Sequence, residues 1–204
     1  MAYKNSLENN LKDLNLEKEF FTRCEVFISL LQKWGKVHNL SGRLTKDDIE
    51  ENIIDSVYPL NFIENFDDYE SFADIGTGAG YPGFILAMAK PNIKAYLIEP
   101  RVKRVAFLNF VKNSLGLANI EVIGSRVEAI ENLEVDLITS RAVTNTKLLF
   151  DITKNISKKN SSYLFYKGSN LNDELNEEIE EAKLDNCKIV NRKDRNYLYL
   201  KGKK

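Results

Sequence analysis

From Glu17 onward, Phe20, Cys24, Phe27, Leu31 and Trp34 recur at alternating intervals of four and three residues, with Ile28 beside them. That spacing sets one apolar stripe on a long helix. Leu7, Leu11 and Leu14 mark a shorter helix before it, and Ile49, Ile53, Ile54 and Val57 mark a third. Thr45 stands where the third helix needs an N-cap, and Asp47 and Asp48 fall in a first turn where the helix dipole favours negative charge. Residues 1–65 are therefore expected to form a helical extension. The stretch from Lys33 to Arg43 reads as a connecting loop rich in cations and hydrogen-bonding side chains.

After Pro59 the pattern changes to short apolar runs alternating with helical periods. This alternation is the mark of a parallel sheet with crossover helices. The runs end at Ile75, at Ile98 before Glu99, at Ile123 and at Thr139, with a further strand over 163–166. Helices are expected from Pro82 to the Lys90-Pro91 stop, through Val105, Leu108, Val111 and Leu115 to Gly116, from about Asn145, and through Leu171, Leu175, Ile179 and Ala182. Residues 187–190 and 197–200 pair as a closing hairpin, which makes the last strand antiparallel. The fold class is α/β: a doubly wound, mostly parallel sheet with a C-terminal antiparallel hairpin and an N-terminal helical extension. The whole chain, 1–204, reads as one domain, with residues 66–204 as its α/β core.

The chemistry centres on Asp74-Ile75-Gly76-Thr77-Gly78-Ala79-Gly80-Tyr81-Pro82-Gly83, the turn between the first strand and its helix. Glycines there let the backbone take positive φ and lie against a ligand, while the helix N-terminus offers free N–H donors. A dinucleotide fingerprint would need its third glycine at position 81, which is Tyr81. The observed Gly76, Gly78, Gly80 spacing after an acidic residue resembles instead the first motif of the class I, Rossmann-like methyltransferases that use S-adenosylmethionine. That resemblance places Asp74 near the ammonium of the methionine part. Glu99, at the tip of the second strand, faces the turn across the switch point and can accept both ribose hydroxyls. The Val127 backbone and the Glu128 carboxylate, after the third strand, fall where such folds contact adenine.

The tip of the fourth strand carries Ser140-Arg141-Ala142 and lacks the Asp/Asn-Pro-Pro-aromatic motif of amino-directed nucleic-acid methyltransferases. Arginine cannot accept a proton from an amine, but it can donate in a fork to guanine O6, to a cofactor carboxylate or to a buried structural carboxylate. Formal net charge is only −1, so a nucleic-acid partner would need a local cationic patch. Arg101, Lys103 and Arg104 supply one at a helix start, where cations oppose the dipole. Lys33, Lys36, Asn39, Arg43 and Arg126 are the other candidate RNA contacts. From Lys183 to the end there are eight Lys/Arg against two Asp, so the hairpin tip is a further place for phosphate contact.

Cys24 and Cys187 sit in apolar patterns and read as core thiols, and with His38 the one histidine, neither a metal site nor a Ser-His-Asp arrangement is expected. No long apolar run or leader is visible, so a cytoplasmic protein with no membrane partner is expected; a monomer is the expected state, though nothing in the sequence fixes it.

Taken together, Lys33-Trp34, Asn39-Leu40, Ile54-Asp55-Ser56, the glycine turn with its Pro82-Gly83, Lys103-Arg104, Phe107-Leu108, Arg126-Val127-Glu128, Ser140-Arg141-Ala142 and Lys167-Gly168 resemble the small-subunit ribosomal RNA guanine-N7 methyltransferase family, also called glucose-inhibited division protein B. The resemblance implies methyl transfer from S-adenosylmethionine to N7 of one guanine in the decoding region of 16S RNA, free or in the small ribosomal subunit. It also implies cofactor contacts at Gly76, Tyr81, Val127, Glu128 and Arg141. Gly35 and Ser41 stand where the family usually has Asn and Thr. By themselves the residues leave open a cofactor-sensing ribosome-assembly protein or a methyltransferase acting on a small molecule.

Overall fold

The computed structural model describes residues 7–38, 40, 42, 44–168 and 187–202. The expected helix through Leu171 and Leu175 lies outside the described residues, as do Asn39, Ser41 and Arg43. Seven strands form one sheet: β1 (Ser71–Ile75), β2 (Lys94–Ile98), β3 (Ile120–Ile123), β4 (Val135–Arg141), β5 (Ser157–Lys167), β6 (Cys187–Arg192) and β7 (Arg195–Leu200). Their order is β3-β2-β1-β4-β5-β7-β6, parallel from β3 to β5, with β7 antiparallel to both β5 and β6. The chain winds outward from β1 in both directions, so a switch point falls between β1 and β4.

The described helices are α1 (Leu7–Asn10), α2 (Lys18–His38), α3 (Lys46–Val57), α4 (Gly83–Ala89), α5 (Val102–Ser114) and α6 (Thr146–Ile152). Strand periodicity sorts them into two layers. Phe72, Leu137, Leu164 and Tyr166 join a core cluster with Phe27, Ile53, Phe84 and Leu108 from α2, α3, α4 and α5. Ala73, Ile75, Ile138 and Phe165 point the other way, into a smaller cluster with Leu149 and Phe150 of α6. The N-terminal helices thus share the core of the sheet's larger layer.

Thr45 caps α3, its hydroxyl accepting the Asp48 N–H at 3.2 Å. The stretch from Lys33 does not leave the helix: α2 continues to His38. Gly35 remains helical at a propensity cost of about 1 kcal/mol, and there the helix backbone lies against Leu44. A Cβ at Gly35 would sit 2.5 Å from Leu44 Cδ2. Strand β5 starts six residues before the expected 163 because Lys158 and Ser161 hold its polar beginning, the Ser161 hydroxyl donating to the Val135 carbonyl at 2.6 Å. Cys24 is fully buried, Cys187 is half-buried, and both are free thiols.

Candidate functional site

The sheet's register assembles the site. Ile75 is paired with Ile98 on one side and with Ser140 on the other. The next residue of each strand, Gly76, Glu99 and Arg141, therefore emerges at the same carboxyl edge. A cavity of about 510 Å³ opens there, lined by Gly76, Gly78, Tyr81, Glu99, Val127, Glu128 and Arg141, seven of the nine residues expected at a cofactor. Its wall also carries Arg101, Arg104 and Arg126. Four guanidiniums thus stand against two carboxylates at this rim.

Asp74 and Gly80 are the two exceptions. Strand alternation turns Asp74 to the same side as Phe72, into the helical layer, where it is fully buried. Its carboxylate accepts the Gly83 N–H at 2.8 Å and the Thr139 hydroxyl at 2.9 Å. The expectation of Asp74 beside a ligand ammonium is corrected accordingly: it holds the start of α4 against the sheet from behind. Burial pushes its carboxyl up to about 6, while the donors around it pull the other way. Gly80, with φ of +105°, is packed below the turn, where a Cβ would lie 2.9 Å from Phe84 Cβ and 3.5 Å from Phe27. It shapes the turn and does not line the cavity.

Glu99 is buried at the tip of β2 and braces the glycine turn from across the edge. One oxygen accepts the Gly78 N–H at 3.0 Å and an Arg104 guanidinium N–H at 3.3 Å, and the other accepts the Arg101 N–H at 2.9 Å. A carboxylate at the N-terminus of α5 answers the cations placed there against the dipole. The oxygen facing Arg101 has a second lone pair, so the carboxylate retains acceptor capacity toward the cavity.

Arg141 takes one of the roles its position left open, pairing with a buried structural carboxylate, and it also lines the cavity. Its Nη1 donates to Asn52 Oδ1 at 2.7 Å and to Asp55 Oδ2 at 3.2 Å, both on α3, and its guanidinium lies 4.8 Å from the Tyr81 ring centroid. It is a salt-bridged arginine that also forms the cavity wall. Neither Asn52 nor Asp55 was expected at the site. The available signal was the presence of polar residues inside the apolar stripe of α3, where Asn52 is half-buried and Asp55 and Ser56 are buried.

Of the remaining candidate RNA contacts, Lys103 is exposed on α5, and Lys33 and Lys36 are exposed on α2. None of these three lines the cavity. The two helices meet through Trp34, whose ring lies 5.9 Å from Phe107 and 5.2 Å from Phe110. Among the described residues no cluster of His, Cys, Asp and Glu could hold a metal ion, and no helix is long and apolar enough to cross a membrane.

The cavity fits a nucleoside cofactor on two observations. Gly76 and Gly78 line it at φ of +66° and +62°, a conformation that favours glycine, and a Cβ at Gly76 would lie 2.6 Å from Val143 Cγ2, another side chain of the wall. Tyr81, which lines the same cavity, has a buried hydroxyl with no hydrogen-bond partner among the described residues. Burial pushes that phenol well up, so the hydroxyl stays protonated as a donor.

The family described as rRNA small subunit methyltransferase G (GidB) matches residues 21–197. The ribosomal RNA small subunit methyltransferase G of Aliarcobacter butzleri is 68% identical over 194 residues, 95% of each chain. The protein of the same name from Wolinella succinogenes is 42% identical over 199 residues, 97% of this chain and 98% of that one. Among solved structures, a variant of MtNAS in complex with S-adenosylmethionine aligns with a TM-score of 0.56 at 13% identity, over 97% of this chain and 84% of that chain. A ribosomal protein L11 methylase from Lactobacillus delbrueckii aligns with a TM-score of 0.55 at 12% identity, over 76% and 80%. At such identities these structures speak to the fold, while the sequence relatives speak to descent. The chain belongs to the rRNA small subunit methyltransferase G family.

Proposed function

We propose that this protein transfers the methyl group of S-adenosylmethionine to N7 of a guanine in small-subunit ribosomal RNA. The observation that carries the reading is the alignment of Gly76, Glu99 and Arg141 by strand register around one cavity, within the range that small-molecule sites occupy. In this reading the ribose hydroxyls are accepted by Glu99, the adenine lies against the Val127 N–H and Glu128, and the cofactor's carboxylate meets Arg141. The Val127 carbonyl already accepts from the Asn155 side chain at 2.8 Å and from the Ile130 N–H at 3.1 Å, so the N–H is the group it offers.

S-adenosylmethionine supplies an electrophilic methyl on a sulfonium. Guanine N7 presents an in-plane lone pair with no proton to remove, so the carbon–nitrogen bond forms as the carbon–sulfur pair returns to sulfur, and positive charge moves to the purine. No general base is needed. The protein's task is to align the reacting atoms, and orientation can supply up to about 7–11 kcal/mol of the barrier. Because the product base is cationic, Arg141 serves better on the cofactor than on the ring.

RNA must present N7 in an open conformation, since the A-form major groove is too narrow for side chains. Arg101, Arg104 and Arg126 at the cavity rim, with Lys103, Lys33 and Lys36 on the adjoining helices, form the surface to receive it. Asn39 and Arg43, which lie outside the described residues, remain candidate RNA contacts by sequence alone. Nucleosides released from treated small-subunit RNA test the reading. Label in N7-methylguanosine is expected, label in another methylated nucleoside would overturn the choice of atom, and label confined to a small molecule would overturn the substrate.

A further inference from the structure

The carboxylate of Asp55 lies where three elements meet. It is buried, with 8% of its side chain exposed, and three side chains converge on it. Arg141 of β4 donates to Oδ2 at 3.2 Å, Arg195 of β7 lies 3.2 Å from the same oxygen, and the Tyr197 hydroxyl donates to Oδ1 at 2.7 Å. Arg195 and Tyr197 already tie the carboxylate to the hairpin. Arg141 is the additional partner, and it is the one whose guanidinium reaches the cavity.

That guanidinium is held from three sides. Asn52, one turn before Asp55 on α3, accepts from the same Nη1 at 2.7 Å. Asn52 is itself oriented, because its amide nitrogen donates to the Asp48 carbonyl at 2.8 Å and so turns its oxygen toward the arginine. The third side is the Tyr81 ring, 4.8 Å away. An arginine at a strand tip has many rotamers to lose, and a fork aimed at a carboxylate works best when that freedom is already lost.

We infer that Asp55, with Asn52, is a positioning residue for cofactor binding: from α3 it fixes the Arg141 guanidinium on Tyr81 so that its remaining face meets the cofactor's carboxylate. The inference rests on the proposed contact between Arg141 and that carboxylate. It also gives the N-terminal helical layer a part in the cofactor site, since neither anchor belongs to the sheet.

Calorimetric titration of S-adenosylmethionine into the full chain, with a double-mutant cycle, separates positioning from mere support. Asp55→Asn is expected to weaken cofactor binding by about tenfold, the size of one hydrogen bond to a charged group. In an Arg141→Gln background the same change is expected to have almost no effect on binding, whereas a scaffold defect would cost the same in both backgrounds. Should Asp55→Asn not fold, Asn52→Leu removes the other anchor and is expected to show the same dependence on Arg141. Arg195→Gln, which removes only the hairpin's claim, is expected to lower the melting temperature and leave affinity unchanged. Undiminished affinity in Asp55→Asn, or an equal loss with and without Arg141, would overturn the inference. Wild-type protein that binds no S-adenosylmethionine would instead refute the cofactor reading on which it stands.

Discussion

Glu99 and Gly78 are joined across the carboxyl edge of the sheet, the buried carboxylate accepting the backbone N–H of the turn at 3.0 Å. The same side chain accepts the Arg101 N–H at the start of α5 and pairs with Arg104. It therefore ties the glycine turn to the next helix while lining the cavity. Glu99→Ala should lose about 1.5–3 kcal/mol of cofactor binding, the range for a hydrogen bond to a charged group, and the melting temperature should fall with it. Glu99→Gln keeps one acceptor and should fall between. An unchanged dissociation constant for S-adenosylmethionine in Glu99→Ala would remove the residue from the site.

Gly83 is the tightest point behind the turn. A Cβ there would lie 2.4 Å from Asp74 Cβ and 2.6 Å from Leu97 Cδ2, both held in the core. Gly83→Ala should destabilise the fold by about 1–3 kcal/mol or more, as overpacking does. Gly116→Ala, where a Cβ meets nothing within 4 Å, is strained only by its φ of +63° and should cost less. Chemical denaturation of the two variants checks the order.

Asp74 gives the fold a pH dependence of defined sign. Burial raises its carboxyl from 3.8 to about 6, so the folded state holds the proton more tightly than the unfolded chain does. Its contribution to stability is complete below the unfolded value and is lost as pH rises through the folded one, with a slope of up to about 1.4 kcal/mol per unit between them. Asp74→Asn keeps an oxygen for the Gly83 N–H and cannot ionise. The stability difference between this variant and wild type should shift in favour of the variant as pH rises from about 4 to 6, in line with that linkage. A shift in the opposite direction would mean that the donors at Gly83 and Thr139 outweigh burial.

The exposed cations should act on RNA and not on the cofactor. Lys103→Glu and Lys36→Glu are expected to leave S-adenosylmethionine affinity unchanged and to reduce RNA methylation. If each loses one phosphate contact, the logarithmic salt slope of RNA binding should fall by about 0.7–0.9. Arg104→Glu is expected to behave differently, because it would set a second carboxylate against Glu99 and weaken the cofactor as well. Equal losses of cofactor and RNA binding in Lys103→Glu would indicate a folding defect instead.

The legible parts of the site were those encoded locally. Positive φ at Gly76 and Gly78, the acidic tip after β2 and the cap at Thr45 each follow from a few neighbouring residues, and strand register brings the glycine turn and the acidic tip to one place. Asp74 was misplaced although its direction was encoded: residues 73 and 75 are the apolar partners of the opposite layer, so residue 74 must face α4. What could not be read was contact across long sequence separation. Arg141 finds Asn52 and Asp55 from 89 and 86 residues away, and nothing local marks either as its partner. The polar start of β5 was missed for a different reason, because it is held by Asp136 and by backbone pairing at the solvent edge and not by an apolar pattern.

The placement of the cofactor is tested most directly by a crystal structure of the protein with S-adenosylhomocysteine. The expected result has the ribose hydroxyls on Glu99, the adenine against Val127 and Glu128, and the amino-acid carboxylate on Arg141 while Arg141 still holds Asp55. A nucleoside seated away from Glu99, or an amino-acid end turned away from Arg141, would contradict it.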